Sequence, residues 1–153
     1  MSAGPAEVLV VDASVATKWL LTDEEHVDRA RLILQHFAEG KTQIVAPAHL
    51  RYEVPSAITA ATVGRRSRLS PEEGKEAIDE FLELGLQTVE TDELIRAAYP
   101  LVHQHGCSFY DALYLALAQD LGVPLVTADR QFYQRVRRLS QVVWIGDYPA
   151  EAR

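Results

Sequence analysis

Five short, almost uninterrupted apolar runs constrain this chain more than any other feature. They are VLVV (8–11), IVA (44–46), LQTV (86–89), PLVT (124–127) and VVWI (142–145). Runs of this length, rich in valine and without polar alternation, predict strands covered on both faces, the habit of parallel sheets. Parallel neighbours need a crossover between them, and the intervening segments are helical in pattern. Ser70-Pro71 with Glu73 forms a capping box with proline at the first helical position, and Ala77, Ile78, Phe81 and Leu82 line one face of a helix over 71–83. Leu94, Ala97, Ala98, Leu101 and Val102 do the same over 92–105, with Gly106 as the C-terminal stop and Pro100 as a kink. Thr22 with Glu25 predicts a further capping box. Val27, Ala30, Ile33, Leu34 and Phe37 form another apolar stripe. Strands separated by helices in this way define an α/β fold, a three-layer α/β/α sandwich with a parallel five-stranded sheet. No repeat, linker or low-complexity tract interrupts it, so a single domain over 1–153 is expected.

Composition narrows the function classes. A net charge of −7 argues against a protein that coats nucleic acid nonspecifically, although basic surfaces survive locally in GRRSR (Arg65, Arg66, Arg68) and RQFYQRVRR (Arg130, Arg135, Arg137, Arg138). Both clusters also read as solvated helix surface, and Phe132 reads as core. The lone Cys107 suits a reducing compartment, MSAGPAEV lacks the basic start and apolar core of a secretory leader, and no apolar run reaches the roughly 20 residues of a membrane span. A cytoplasmic protein without membrane contact is expected.

In parallel α/β sheets, ligands gather beyond the carboxyl ends of the strands. Asp12 directly follows VLVV, and Asp129 follows PLVTA. Asp111 opens the apolar helix SFYDALYLALA, and Glu53, in AHLRYEVPSAITAA, opens another after the second strand. Each has a local alternative: Asp12 and Asp129 as helix N-caps, and Asp111 with Ser108 as a capping box. Spacing alone leaves these readings open. Other chemistries lack their signatures. Ser14 stands where an aspartyl-phosphate phosphatase needs a second aspartate, and neither a glycine-rich phosphate loop nor a G-x-S-x-G elbow occurs. HQHGC (His103, His105, Cys107) straddles a helix end without further zinc ligands nearby. His26, His36 and His49 read as surface or boundary residues, Lys18 as helix surface and Trp19 as core.

Taken together, VVDASVATKWL, YEVPSAI, SFYDALYLALA and LVTADRQF resemble the PIN-domain ribonucleases, specifically the VapC-type toxins of toxin–antitoxin pairs, from residue 8 to about 145. YDALYLALA followed by TADRQF is the most specific part. The resemblance implies an endoribonuclease with an acidic pocket for Mg²⁺, or Mn²⁺ in its place, formed by Asp12, Glu53, Asp111 and Asp129. It implies supporting hydroxyls at Ser14 and Thr127, an RNA substrate, a VapB-type antitoxin and a homodimer. Ser56 stands where the family often has asparagine, and Pro55 predicts a kink or a fresh turn just beyond Glu53. The alternatives are a PIN nuclease of RNA processing or structured DNA, and a non-catalytic binding module.

The chemistry suits such a set. Carboxylates 4 Å apart repel by about 4 kcal/mol at an effective dielectric near 20. A divalent cation removes the conflict, and oxygen donors favour Mg²⁺ or Mn²⁺ over zinc. Arg65, Arg66, Arg68 and Arg130 are the candidates for holding the flanking RNA backbone.

Overall fold

The computed structural model describes residues 4–149, so the outermost residues of the 1–153 domain and of the N-terminal segment lie outside the described part. Five strands, β1 (Glu7–Val11), β2 (Thr42–Pro47), β3 (Gln87–Val89), β4 (Leu125–Thr127) and β5 (Val142–Trp144), form one sheet in the order β3-β2-β1-β4-β5. Every pairing is parallel. The apolar runs therefore became covered strands, as their lack of alternation requires. β1 and β4 are both central, and Leu9, Val10, Val11, Leu125 and Val126 are all buried.

The helices are α1 (Ala13–Ala16), α2 (Val27–Ala38), α3 (Leu50–Thr62), α4 (Pro71–Glu83), α5 (Asp92–His105), α6 (Phe109–Leu121) and α7 (Arg130–Val136). The crossovers from β1 to β2 and β3 step one way along the sheet, and those to β4 and β5 step the other way. With right-handed connections the two sets of helices cover opposite faces, which gives the three layers. The apolar helix α6 packs against β1, β2 and β4, with Ala112 through Ala118 all buried. Because successive crossovers reverse direction between β1 and β4, the carboxyl ends of these strands flank the topological switch point of the sheet.

Local expectations hold where the signal is local. The box of Ser70 and Glu73 forms in both directions. Gly106 caps α5 in the left-handed conformation at φ +67°. α5 runs through Pro100 and α3 runs through Pro55, each as one continuous helix, so no fresh turn starts at Pro55. Pro55 leaves the Arg51 carbonyl without an amide donor, and Arg51 is an exposed residue at which water can satisfy it. The Thr22–Glu25 box fails, because α2 starts later, after His26 in the left-handed conformation, with no side-chain cap.

Candidate active site

Asp12 is the residue around which the switch point is built. It leaves β1 with its N–H bonded to the Val126 carbonyl at 3.4 Å, and its carboxylate caps α1 by accepting from the Val15 N–H at 3.3 Å. Two hydroxyls fix the same carboxylate. Ser14 donates to Oδ1, and Thr127, from β4, donates to Oδ2 at 2.5 Å. These hydroxyls are themselves aimed by backbone amides. Ala128 N–H donates to Ser14 Oγ at 2.8 Å, and Asp129 N–H to Thr127 Oγ1 at 3.1 Å. Burial nevertheless dominates: despite three donors, the Asp12 carboxyl is pushed up to about 7, and the charge of Asp111 adds to the rise.

Asp111 is the third residue of α6, in its first turn. Only the serine half of its capping box forms, with Ser108 Oγ accepting from the Asp111 N–H at 3.0 Å. Partial burial, reinforced by the charges of Asp129 and Glu53, raises the Asp111 carboxyl to about 6. Asp129 is the N-cap of α7, accepting from the Phe132 N–H at 3.1 Å. The capping readings of Asp12 and Asp129 are thus correct, and they coexist with a shared electrostatic neighbourhood.

Glu53 reaches this neighbourhood from the first turn of α3. Tyr114 donates to its Oε1 at 2.8 Å, and His49 Nε2 lies 2.9 Å from the same oxygen. Burial pushes the Glu53 carboxyl up, but the Tyr114 hydroxyl and the His49 ring outweigh it, leaving it below the ordinary carboxylate range. Sequence reasoning gives neither residue a place in the site. Their signal is spacing: Tyr114 is three residues beyond Asp111 and His49 four before Glu53, so each pair shares a helix face. Neither ring nitrogen of the largely buried His49 has an aligned hydrogen-bond partner among the described residues, and the ring packs 4.6 Å from the Tyr114 ring.

A cleft of about 360 Å³ opens beside these groups, lined by Ser14, Thr17, Lys18, Glu24, Glu53 and Ala128. Lys18 corrects the surface reading, being only 8% exposed with its Nζ 3.4 Å from Glu24 Oε1. Arg68 is also not a free cation. It binds Asp23 through two nitrogens and Glu24 at 3.1 Å, which raises its pKa further. Arg130 sits 3.5 Å from Glu25 while remaining largely exposed, and Arg65 and Arg66 are exposed without ion pairs among the described residues.

The donor set fits a hard divalent cation in chemistry. It is carboxylate and hydroxyl oxygen throughout, with two carboxyls held above their ordinary range by burial and mutual charge. It is more open than a closed ligand shell: among the described residues no three acidic, histidine or cysteine side chains converge closely enough to enclose an ion.

Acids at the switch point of a parallel sheet stand where such sheets bind their ligands. The chain belongs to the PIN-domain family, whose pattern matches residues 9–138. It is 35% identical over 127 residues to Ribonuclease VapC12 of Mycobacterium tuberculosis, covering 83% of this chain and 91% of that protein. It is 33% identical over 129 residues to Ribonuclease VapC3 of Pyrobaculum aerophilum, covering 83% and 93%. The fold is shared with the Pyrobaculum aerophilum protein PAE2754 (TM-score 0.66, 22% identity, 92% of each chain). It is shared also with Mycobacterium tuberculosis VapC20, a sarcin–ricin loop cleaving toxin (TM-score 0.60, 17% identity, 82% and 93%). A third neighbour is the VapBC2 assembly of Rickettsia felis bound to a promoter DNA fragment (TM-score 0.61, 14% identity, 90% and 96%).

Proposed function

We propose that this protein is a Mg²⁺-dependent endoribonuclease, the toxin of a VapBC-type pair, acting as one domain in the cytoplasm with Mn²⁺ able to substitute. The observation that carries the reading is Asp12: a carboxylate gripped by Ser14 and Thr127, yet held up at about 7 by its burial, with the charge of Asp111 adding to the rise. Buried carboxyls shifted this far concentrate at functional sites. The chain's membership of the PIN family and its identity to two ribonucleases give that carboxyl a purpose. The Rickettsia felis assembly supports a VapB-type antitoxin as partner, and a homodimer belongs to the same proposal. No helix among the described residues is long and apolar enough to cross a membrane.

In this reading Asp12, Glu53, Asp111 and Asp129 hold the cation. When bound, it supplies Lewis acidity, lowering the pKa of a water and offsetting charge that develops on the phosphodiester. The protein's own groups do the positioning. Ser14 and Thr127 fix both Asp12 oxygens, Tyr114 fixes Glu53 with the His49 ring beside it, and the α6 backbone carries Asp111 as its third residue. Attack on phosphorus in line with the 3′ oxygen leaves a 5′-phosphate and a 3′-hydroxyl.

The test is metal withdrawal and return. Cellular RNA incubated with the protein should be cut in Mg²⁺ or Mn²⁺, survive in EDTA and be cut again once the cation is restored. Asp12→Asn should cut it under none of these conditions. Full cleavage in EDTA would overturn the reading.

A further inference from the structure

One strand away from Thr127 lies a second cleft that the acidic site does not use. Thr127 at the end of β4 is in register with Trp144 at the end of β5. Neighbouring strands are about 4.8 Å apart, so the Trp144 backbone sits beside the residue that orients Asp12. The cleft, of about 210 Å³, is lined by Trp144, Tyr133, Arg130, Gln134 and Arg137. Tyr133 and Trp144 have ring centroids 5.6 Å apart, and the Arg130 guanidinium lies 5.3 Å from the indole centroid. His26 packs edge-on against the same indole at 5.7 Å, and Gly146 lacks the Cβ that would come within 2.9 Å of its Nε1. The indole is therefore held in place while remaining only partly buried.

Charge distinguishes this cleft from a loosely covered core. It continues along α7 into a cleft of about 390 Å³ lined by His105, Arg135, Arg137 and Arg138. The two clefts hold four of the fifteen basic residues, Arg130, Arg135, Arg137 and Arg138, and no lining carboxylate, in a chain of net charge −7. Aromatic rings beside a line of arginines, starting next to Asp129, match a single strand that stacks a base and spreads its phosphates along a basic track.

We propose that the Trp144–Tyr133–Arg130 cleft is a nucleobase-stacking subsite, holding one base of single-stranded RNA next to the cleaved bond. It rests on the nuclease reading above and adds where the substrate lies. A base stacked on the indole takes the place of the Arg130 guanidinium. The ion pair of Arg130 with Glu25 is exposed on both sides and yields readily. The released Arg130 is then left beside the phosphate of that base. Arg137 and Arg138 carry the strand onward.

Trp144 reports on its own occupancy, because the only other tryptophan, Trp19, is buried and 7% exposed. Short single-stranded oligoribonucleotides titrated into the full chain in EDTA should quench tryptophan fluorescence, and Trp144→Phe should abolish the quench. Trp144→Leu should weaken binding roughly 10-fold, the usual scale of removing one base stack. In an oligonucleotide series with a single abasic nucleotide, one position near the cut should lose the quench and show no further loss with Trp144→Leu. Tyr133→Leu, with Trp144 intact, gives the same comparison if Trp144→Leu fails to fold. Unaltered quenching in Trp144→Phe, or unaltered RNA affinity in a folded Leu variant, would overturn the subsite. If the wild type cuts RNA in Mg²⁺ with a KM that Trp144→Leu and Tyr133→Leu leave alone, the subsite fails and the nuclease reading stands. If the wild type neither binds nor cuts RNA, both fail.

Discussion

Tyr114 donates its hydroxyl hydrogen to Glu53 Oε1 at 2.8 Å, so the helix that carries Asp111 also holds the acid contributed by α3. Two segments sixty-one residues apart are joined at one carboxylate. With Ser14 and Thr127 on Asp12, two of the four acids are positioned by hydroxyls rather than by one another.

Tyr114→Phe removes that hydroxyl and keeps the buried ring. A hydrogen bond to a charged group contributes roughly 1.5–3 kcal/mol, and the partial exposure of Glu53 puts the expected loss near the lower end, about 1.5 kcal/mol. Denaturant titration reads the stability. The Mg²⁺ titration of cleavage should shift to higher concentration, as it should more strongly in Glu53→Gln. An unchanged metal titration in Glu53→Gln would remove Glu53 from the site.

Asp12→Asn and Asp111→Asn should abolish cleavage while leaving the metal-free protein as stable or more stable, since each relieves a buried or crowded charge. Thermal melts in EDTA beside cleavage assays check both halves. A large loss of apo stability in Asp111→Asn would mark it as a structural cap instead.

The metal-free protein should also become more stable as pH falls from 8 towards 5. Folding raises the Asp12 carboxyl from 3.8 to about 7, so the folded state binds a proton that the unfolded state has released. Between those two values stability rises with acidity, by at most about 1.4 kcal/mol per pH unit for Asp12. Asp111, raised to about 6, adds a smaller effect because solvent screens it. At lower pH, Asp23, Glu39 and Glu53, all held below their ordinary values, reverse the trend as they take up protons. Melting temperatures in EDTA across this range should show the rise in the wild type and much less of it in Asp12→Asn.

Arg68 differs from its neighbours Arg65 and Arg66. Its guanidinium is committed to Asp23 and Glu24, whereas theirs are exposed. Arg65→Ala with Arg66→Ala should lower the salt dependence of RNA binding, by about 0.7 in the log–log slope for each phosphate no longer neutralised. Arg68→Ala should leave that slope nearly unchanged. Equal effects would show that the Arg68 ion pairs open when RNA binds.

Features set by near neighbours in the chain were legible in the sequence. The strands, the helix over 71–83 and the capping roles of Asp12 and Asp129 depend on neighbours within a few residues, and each appeared as expected. Pro55 starts no new helix because tertiary packing outweighs local propensity: α3 buries Leu50, Val54, Ile58 and Ala61 and stays continuous through it. Lys18 looked like helix surface because its cover, the Asp23–Glu24 segment pinned by Arg68 from forty-four residues away, is not written in its own neighbourhood. His49 and Tyr114 were missed for the same reason. A histidine and a tyrosine on apolar helices look like ordinary packing until the fold brings Glu53 between them.

In the proposed reaction, water activated at these four acids attacks RNA without help from its 2′-hydroxyl. The most direct measurement is end-group analysis of an RNA oligonucleotide cut in Mg²⁺, beside the same oligonucleotide with a single 2′-deoxy substitution at the cleaved position. Attack by water should give a 5′-phosphate and a 3′-hydroxyl from both, with the deoxy substrate cut more slowly where the protein had held that hydroxyl. A 2′,3′-cyclic phosphate, or a deoxy substrate that resists cleavage entirely, would contradict it.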